Sequence, residues 1–225
     1  IMGMAAYGNP RSHDREMVDD LFEVFDPPRM MLKQNLHKGI GDYVQRKGWN
    51  PMDVAAAAQK IAETYILGLA RWAQRSYNSR NLVLVGGVAL NCVANGKIAQ
   101  YGWYDRIWVP PNPGDAGLCI GAVAAHRNTR IKFEDAYLGH DIKRDLDIGG
   151  MIKRLSKGTI IGIANGRAEF GPRALGNRSL LADPRGPDIK DRVNAIKKRQ
   201  EFRPFAPVVL AEHAARIFDN VRNNQ

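Results

Sequence analysis

A short apolar run that ends at paired glycines constrains the fold of this chain more than any other feature. The run 82–85 (Leu-Val-Leu-Val) has the pattern of a buried strand, and it stops at Gly86 and Gly87. A helical pattern over 50–77 precedes it, with Asn50 as the N-cap, and a second helix is predicted over 90–100. Helix, strand, glycine turn and helix in this order predict an α/β fold.

The rest of the chain continues the alternation of strands and helices. Pro187 and Asp188 mark the start of a late helix, in the way that Pro51 marks the first turn of the long one. The further predicted elements are a strand over 107–109, a turn over 110–114, a helix over 116–126, a short helix over 151–155, and strands over 159–164 and 205–210.

The stretch 166–185 (GRAEFGPRALGNRSLLADPR) sets four arginines among three glycines directly after a predicted strand. Each guanidinium is permanently charged and offers a planar fork of donors that fits a phosphate or a carboxylate. An anionic ligand would relieve the repulsion among these cations, although four solvated arginines on a surface turn remain an alternative. Glu169 is expected to stay ionised and to orient neighbouring arginines rather than act as a base.

Composition narrows the class of protein. A chain of 225 residues with 44% hydrophobic content can bury a sizeable core in one large or two modest domains. No apolar run reaches membrane-spanning length and no secretory signal opens the chain, so a cytoplasmic protein without a membrane partner is expected. Cys92 and Cys119 are too few for a disulfide framework, and both are expected to be small buried residues.

The positive charge is concentrated in the last third of the chain. The net charge is +10, and residues 151–225 carry 15 basic and 7 acidic side chains. Such a field attracts phosphorylated small molecules or nucleic acid, and charge alone does not choose between them.

The stretch 166–185 closely resembles the signature of the NodU/CmcH/TobZ-type O-carbamoyltransferases. The resemblance extends, in the order of the family, to four further blocks and covers nearly the whole chain. These blocks are IMGMAAYGNP at 1–10, VGGVALNCVANGKI at 85–98, NPGDAGLCIGAV at 112–123 and EFRPFAPVVL at 201–210.

The resemblance implies a domain organisation. Residues 1–130 would form the C-terminal half of an actin-like (ASKHA, ribonuclease H-like) carbamoyl-transfer domain. Residues 131–150 would be a linker, and residues 151–225 would form the first part of a YrdC-like α/β domain that makes carbamoyl adenylate. The chain is accordingly expected to be a fragment of a longer protein.

The resemblance also implies a reaction. Carbamoyl phosphate and ATP would form carbamoyl adenylate, and the carbamoyl group would then pass to a hydroxyl of a small-molecule or sugar acceptor. The implied catalytic residues are Arg167, Arg173, Arg178 and Arg203. The implied nucleotide contacts are Gly86, Gly87, Asn91, Gly114 and Ser179. A strand, a glycine turn and a helix aim main-chain amides at phosphate, but a Gly-Gly turn alone is also typical of a tight connection.

A divalent metal is implied as well. Asp115 matches the aspartate that helps to bind a metal in the family, and iron or zinc is expected with histidine ligands that lie outside this chain. Asp115 would equally serve as a helix N-cap.

Three other functions stay open at this point. The chain could belong to a tRNA threonylcarbamoyl transferase-like protein or to an actin-like sugar kinase, but neither accounts for the arginines at 167–178. A basic nucleic-acid-binding module would fit the charge of the last third. The acceptor is not determined by the sequence, and the oligomeric state, homo-oligomers included, is equally open.

Overall fold

The structure, a computed structural model, describes residues 1–24 and 29–218. It contains helices and short two-stranded sheets, which confirms the α/β prediction. The described chain divides into two compact units. Unit 1 comprises residues 1–24, 29–83, 91–108 and 212–218, and unit 2 comprises residues 84–90 and 109–211.

Unit 1 is organised around one long helix. Its elements are α1 (Met2–Ala5), α2 (Asp14–Leu21), β1 (Phe22–Val24), β2 (Met30–Leu32), α3 (Gly41–Lys47), α4 (Pro51–Ser76), β3 (Asn81–Val83), α5 (Cys92–Tyr101) and β4 (Arg106–Trp108). β1 and β2 pair antiparallel, whereas β3 and β4 pair parallel.

Helix α4 confirms the predicted long helix. The Asn50 side chain accepts a hydrogen bond of 2.9 Å from the N–H of Met52, as its predicted role of N-cap requires. The apolar face of α4 packs against α2 and α3, where Leu21, Ala57 and Ile61 are nearly or fully buried. These buried side chains belong to the core of unit 1. Burying one large aliphatic side chain contributes about 1.5–3 kcal/mol to the free energy of unfolding.

The predicted strand, turn and helix form a parallel βαβ unit. β3 covers residues 81–83 and is paired in register from Asn81 opposite Arg106 to Val83 opposite Trp108. Parallel strands need a crossover, and α5 provides it with Ala94 and Ile98 completely buried. The strand is shorter than the predicted 82–85.

Unit 2 contains short elements joined by long turns. Its elements are two 3₁₀ turns (Gly87–Leu90 and Asp115–Gly117), α6 (Leu118–Arg127), β5 (Asp141–Ile142), α7 (Ile148–Leu155), β6 (Ile161–Ala164), β7 (Gly166–Arg167), β8 (Arg178–Leu181) and α8 (Ile189–Ile196). β5 pairs antiparallel with β7, and β6 with β8. Helix α9 (Ala211–Ile217) begins at the boundary between the units.

Two local predictions are wrong. Residues 205–210 are described and form no strand, because Pro207 lacks the N–H that a strand donates to its neighbour. Cys92 and Cys119 are both exposed, although each lies in or beside a helix with small residues. Among the described residues, no helix has the length and apolar character needed to cross a membrane.

Candidate functional site

The arginine loop, residues 166–178, joins β7 to β8 in unit 2 and is closed by one carboxylate. Glu169 Oε1 accepts hydrogen bonds from the main-chain N–H groups of Leu175 (2.8 Å), Asn177 (2.9 Å) and Arg178 (3.2 Å). Burial raises the pKa of Glu169, but these backbone donors outweigh it and lower the pKa to about 2. The carboxylate orients the loop backbone, including the main chain of the neighbouring Arg178, and among the described residues no hydrogen bond or ion pair joins it to an arginine side chain.

This pKa gives the loop a defined pH dependence. Because the pKa of Glu169 falls from 4.5 to about 2 on folding, its contribution to stability is present above about pH 4.5 and is lost as the pH falls through 2. We expect Glu169→Gln to be less stable than the wild type at pH 6 and the gap to narrow below pH 4.5. Urea unfolding midpoints of both proteins across this range measure the gap, and a gap that does not change with pH would contradict the expectation.

The guanidinium of Arg178 is held by main-chain oxygens. Its Nη1 donates to the carbonyls of Asn177 (2.8 Å), Asn165 (3.1 Å) and Gly166 (3.3 Å), and its Nη2 donates to the carbonyl of His140 (2.9 Å). These donors already have acceptors within the protein. In this conformation Arg178 fastens the end of the loop to the start of the loop and to His140, which directly precedes β5.

Arg167 is also directed at carbonyl groups. Its Nη2 donates to Leu138 O at 3.1 Å and its Nε to Gly139 O at 3.4 Å. The side-chain amide of Asn177 donates in turn to the carbonyl of Arg167 at 2.8 Å, which ties the two ends of the loop together.

Arg173 differs from both. It lies near the middle of the loop between Gly171 and Gly176, and its side chain is exposed. Among the described residues, no hydrogen bond or ion pair engages its guanidinium. Arg173 therefore presents a permanent positive charge at the surface, with its donors available for an anion.

The predicted ligands Ser179 and Arg203 lie in different surroundings. Ser179 Oγ accepts the N–H of Gly176 at 3.0 Å and so supports the loop. Arg203 lies beyond α8, where its carbonyl accepts from the fully buried Asn194 side chain, and its own side chain is exposed. Burial, followed by the charge of Arg203, lowers the pKa of Arg199. Within the described residues, no hydrogen bond joins the Arg203 side chain to the arginine loop.

The segment predicted as a linker forms one side of the arginine loop. Within residues 131–150, β5 pairs with β7, and the carbonyl of Ala136 accepts the N–H of Phe170 at 2.7 Å. The Tyr137 hydroxyl donates to the carbonyl of Leu175 at 3.0 Å. The domain boundaries drawn at this segment stay a prediction.

Two glycine turns of unit 2 pack against each other. The N–H of Gly86 donates to the carbonyl of Pro113 at 2.7 Å. A Cβ placed on Gly114 would lie 3.8 Å from the Cα of Gly87, so the two chains approach closely. Gly86, Gly87 and Gly114, which were predicted as nucleotide contacts from separate blocks, are thus brought together.

The arginine loop touches the same turn. A Cβ placed on Gly171 would lie 2.2 Å from the carbonyl oxygen of Pro111, closer than a side chain tolerates. Gly171 also has a φ of 134°, a conformation that L-residues with a side chain rarely adopt. The loop and the turn at 111–114 are therefore in direct main-chain contact within unit 2.

Asn91, the remaining predicted nucleotide contact, belongs to a polar network in unit 1. Its side chain caps α5 through the N–H of Ala94, and its amide exchanges two hydrogen bonds with Gln59, at 3.0 and 3.1 Å. Gln59 also donates to the buried Glu63 at 2.8 Å, and Lys97 pairs with the other oxygen of Glu63. Nucleotide contact by Asn91 stays a prediction.

Asp115 is exposed and opens the second 3₁₀ turn. Gly114 occupies the N-cap position and the Asp115 side chain makes no capping hydrogen bond, so the alternative role of N-cap is wrong. Within the described residues, histidine, cysteine, aspartate and glutamate form no group of three that could hold a metal. Metal binding by Asp115 stays a prediction, and the described residues contain no complete metal site.

A polar cavity of about 430 Å³ in unit 2 is lined by residues 141–145, Asn165 and Gly166, next to the carbonyls that bind Arg178. An apolar cavity of about 760 Å³ in unit 1 is lined mainly by aliphatic side chains and Trp49. Among the described residues, none of the four predicted catalytic arginines lines either cavity.

Family models match most of this chain. The model "Carbamoyltransferase N-terminus" matches residues 4–124, more than half of the chain, and the model "Carbamoyltransferase C-terminus" matches residues 152–225. This chain belongs to the carbamoyltransferase family. The resemblance to the NodU/CmcH/TobZ-type proteins is thereby confirmed.

Curated relatives agree with the family. Nodulation protein NolNO of Sinorhizobium fredii is 36% identical over 97% of this chain and 37% of its own length. Nodulation protein NolO of Bradyrhizobium diazoefficiens is 35% identical over 97% of this chain and 46% of its own length. Nodulation protein U of Rhizobium tropici is 34% identical over 75% of this chain and 32% of its own length. The chain spans less than half the length of these relatives.

Some residues that lie beside the predicted contacts were not predicted from the sequence. Gln59 and Glu63 interrupt the apolar face of α4 four residues apart, and that spacing was the signal of a buried polar network. Lys143 and Arg144, which line the cavity of unit 2, carry no comparable signal in the sequence.

Proposed function

We propose that this chain is part of an O-carbamoyltransferase that uses carbamoyl phosphate and ATP. Water first cleaves carbamoyl phosphate to carbamate and inorganic phosphate, and a carbamate oxygen then attacks the α-phosphorus of ATP, which gives carbamoyl adenylate and displaces pyrophosphate. The carbamoyl group next passes to a hydroxyl of a small-molecule or sugar acceptor, and AMP leaves. Membership of the carbamoyltransferase family supports carbamoyl transfer. Beyond carbamoyl transfer, we propose that the donor is carbamoyl phosphate, that the nucleotide is ATP and that the acceptor is a small molecule or a sugar.

One observation carries the assignment of the donor site. Arg173 is exposed on a loop whose backbone is fixed by Glu169 and whose other arginines, Arg167 and Arg178, bind main-chain oxygens. Because no described residue accepts a hydrogen bond from its guanidinium, Arg173 can bind the phosphate of carbamoyl phosphate without first breaking an intramolecular bond. The net positive charge of residues 151–225 favours the approach of such polyanionic substrates.

The nucleotide is proposed to bind where the glycine turns of unit 2 meet. Gly86, Gly87 and Gly114 have no side chains, so main-chain amides there can approach phosphate oxygens closely. The Gly86 N–H itself donates to the carbonyl of Pro113, so the amides of Gly87 and Gly114 are the proposed phosphate contacts. We propose that this region corresponds to an actin-like domain and that the arginine loop belongs to a YrdC-like domain.

A divalent metal, iron or zinc, is proposed, and Asp115 is the one residue of this chain that we propose as its ligand. Its carboxylate would be one oxygen ligand, with histidines supplied from outside this chain. A bound ion would supply Lewis-acid chemistry for the transfer step. No step of the proposed reaction is assigned to it, because the described residues do not complete its site.

Release of pyrophosphate tests this function. We expect the full-length protein to release pyrophosphate from ATP in the presence of carbamoyl phosphate and to release none when acetyl phosphate or inorganic phosphate replaces it. A coupled colorimetric assay measures the product, and heat-denatured protein controls for background. Equal release with and without carbamoyl phosphate would contradict the proposal.

The same preparation separates the alternatives. ADP formation with a sugar and without carbamoyl phosphate would favour an actin-like sugar kinase. Dependence on tRNA would favour a threonylcarbamoyl transferase-like protein. Tight, salt-sensitive binding of nucleic acid without turnover would favour a binding module.

A further inference from the structure

The arginine loop is closed at a single atom. Three main-chain N–H groups from residues 175–178 meet Glu169 Oε1, at distances between 2.8 and 3.2 Å. One oxygen with three donors fixes the return of the chain after residue 169, and an ionised acceptor makes each of these bonds stronger than its neutral counterpart. The conformation of residues 170–174 is therefore tied to the state of one side chain.

The arginines of the loop fall into two kinds. Arg167 and Arg178 together donate to six main-chain oxygens, three of them in the segment 138–140. Among the described residues, Arg173 has no such partner and lies on the part of the loop that Glu169 closes. Arg167 and Arg178 thus fasten the loop, whereas Arg173 presents an exposed positive charge.

We propose that Glu169 is a positioning residue that holds Arg173 towards the phosphate of the donor substrate, and that Arg167 and Arg178 fasten the loop rather than contact substrate. The identity of the anion rests on the proposed function, whereas the fastening of the loop rests on the hydrogen bonds alone. Loss of the carboxylate would leave three main-chain donors without their acceptor and would let the loop depart from this conformation.

Arginine-specific labelling with phenylglyoxal, followed by peptide mass spectrometry, measures both parts in the full-length protein. In the wild type we expect Arg173 to react about 10-fold faster than Arg178, because loss of charge-assisted hydrogen bonds of Arg178 costs at least about 1.4 kcal/mol. Carbamoyl phosphate and inorganic phosphate are each expected to protect Arg173.

Two substitutions and a matched control complete the test. Glu169→Ala is expected to raise the labelling rate of Arg178 and to raise the KM for carbamoyl phosphate about 10-fold, with a smaller fall in kcat. Glu169→Gln keeps one acceptor oxygen and should restore part of the effect, and it carries the test if the alanine variant fails to fold. Glu134→Ala removes an exposed carboxylate from the same unit and should behave as the wild type.

The outcomes separate the two proposals. If both Glu169 variants have the same Arg178 labelling rate and the same KM for carbamoyl phosphate as Glu134→Ala, the positioning role is overturned. If inorganic phosphate protects Arg173 in the wild type but carbamoyl phosphate does not, the donor assigned under the proposed function fails and the positioning role stands. If Arg178 is protected by phosphate as strongly as Arg173, the division between the two arginines is overturned.

Discussion

Replacing Arg173 by alanine is expected to lower the carbamoyl-phosphate-dependent release of pyrophosphate at least about 100-fold, because a single donor aimed at developing charge commonly contributes that much. The substitution removes an exposed side chain that has no partner among residues 1–24 and 29–218, so the free energy of unfolding should hardly change. Arg173→Lys keeps the charge but loses the planar fork of donors, so its rate of pyrophosphate release should lie between those of the wild type and Arg173→Ala. Steady-state assays and thermal melts of the three proteins give both quantities.

The control for this prediction is Arg130→Ala. Arg130 is an exposed arginine of unit 2 outside the arginine loop, so its removal subtracts the same charge from the same unit. If the loss at Arg173 were merely the loss of long-range attraction, the two variants would lose equal activity and both losses would shrink in high salt. Equal losses would contradict a direct contact with the donor.

The sequence predicted which segment carries the positive charge but not how its arginines divide. Arg167, Arg173 and Arg178 are equivalent as residue types, and each was expected to contact an anion. Their difference arises from tertiary hydrogen bonds, since the acceptors of Arg178 include His140, which is distant in sequence. No local pattern encodes such a partner.

Helices with local start signals were predicted best. The Asn50 cap and the proline at Pro51 are short-range signals, and α4 begins where they place it. The interval 205–210 has the apolar and β-branched residues of a strand, but a proline at position 207 removes a donor and the described chain has no partner strand there. Strands depend on a neighbour, and the sequence of one segment does not specify that neighbour.

The turns at Gly86 and at 112–115 also show that the sequence of one segment does not specify which other segment it contacts. Gly86 and the NPGD block at 112–115 were interpreted as ligand turns because each resembles a separate block of the family. Their contact through Pro113, and that of Gly171 with Pro111, joins blocks that are far apart in the sequence. A single chain gives the order of such blocks, whereas their proximity is a property of unit 2 as a folded body.

The contact between Gly171 and Pro111 leads to the second large expected effect. Gly171→Ala would place a Cβ 2.2 Å from the Pro111 carbonyl oxygen, so the loop or the turn must move by more than about 1 Å to reach an ordinary contact. Displacements of that size can cost about 100-fold in rate at an active site. The alanine must also adopt a φ of 134°, which adds about 1–3 kcal/mol of backbone strain.

Gly176→Ala is the matched control, because Gly176 lies on the same loop with a φ of 117° and a Cβ there would meet no atom within 4 Å. Both variants carry backbone strain, but Gly171→Ala alone adds the overlap with the turn. We therefore expect Gly171→Ala to lose substantially more pyrophosphate release and to melt at a lower temperature than Gly176→Ala. Should the two variants behave alike, the loss would belong to backbone strain, and the close approach of the arginine loop to the turn at 111–114 would have no part in the activity.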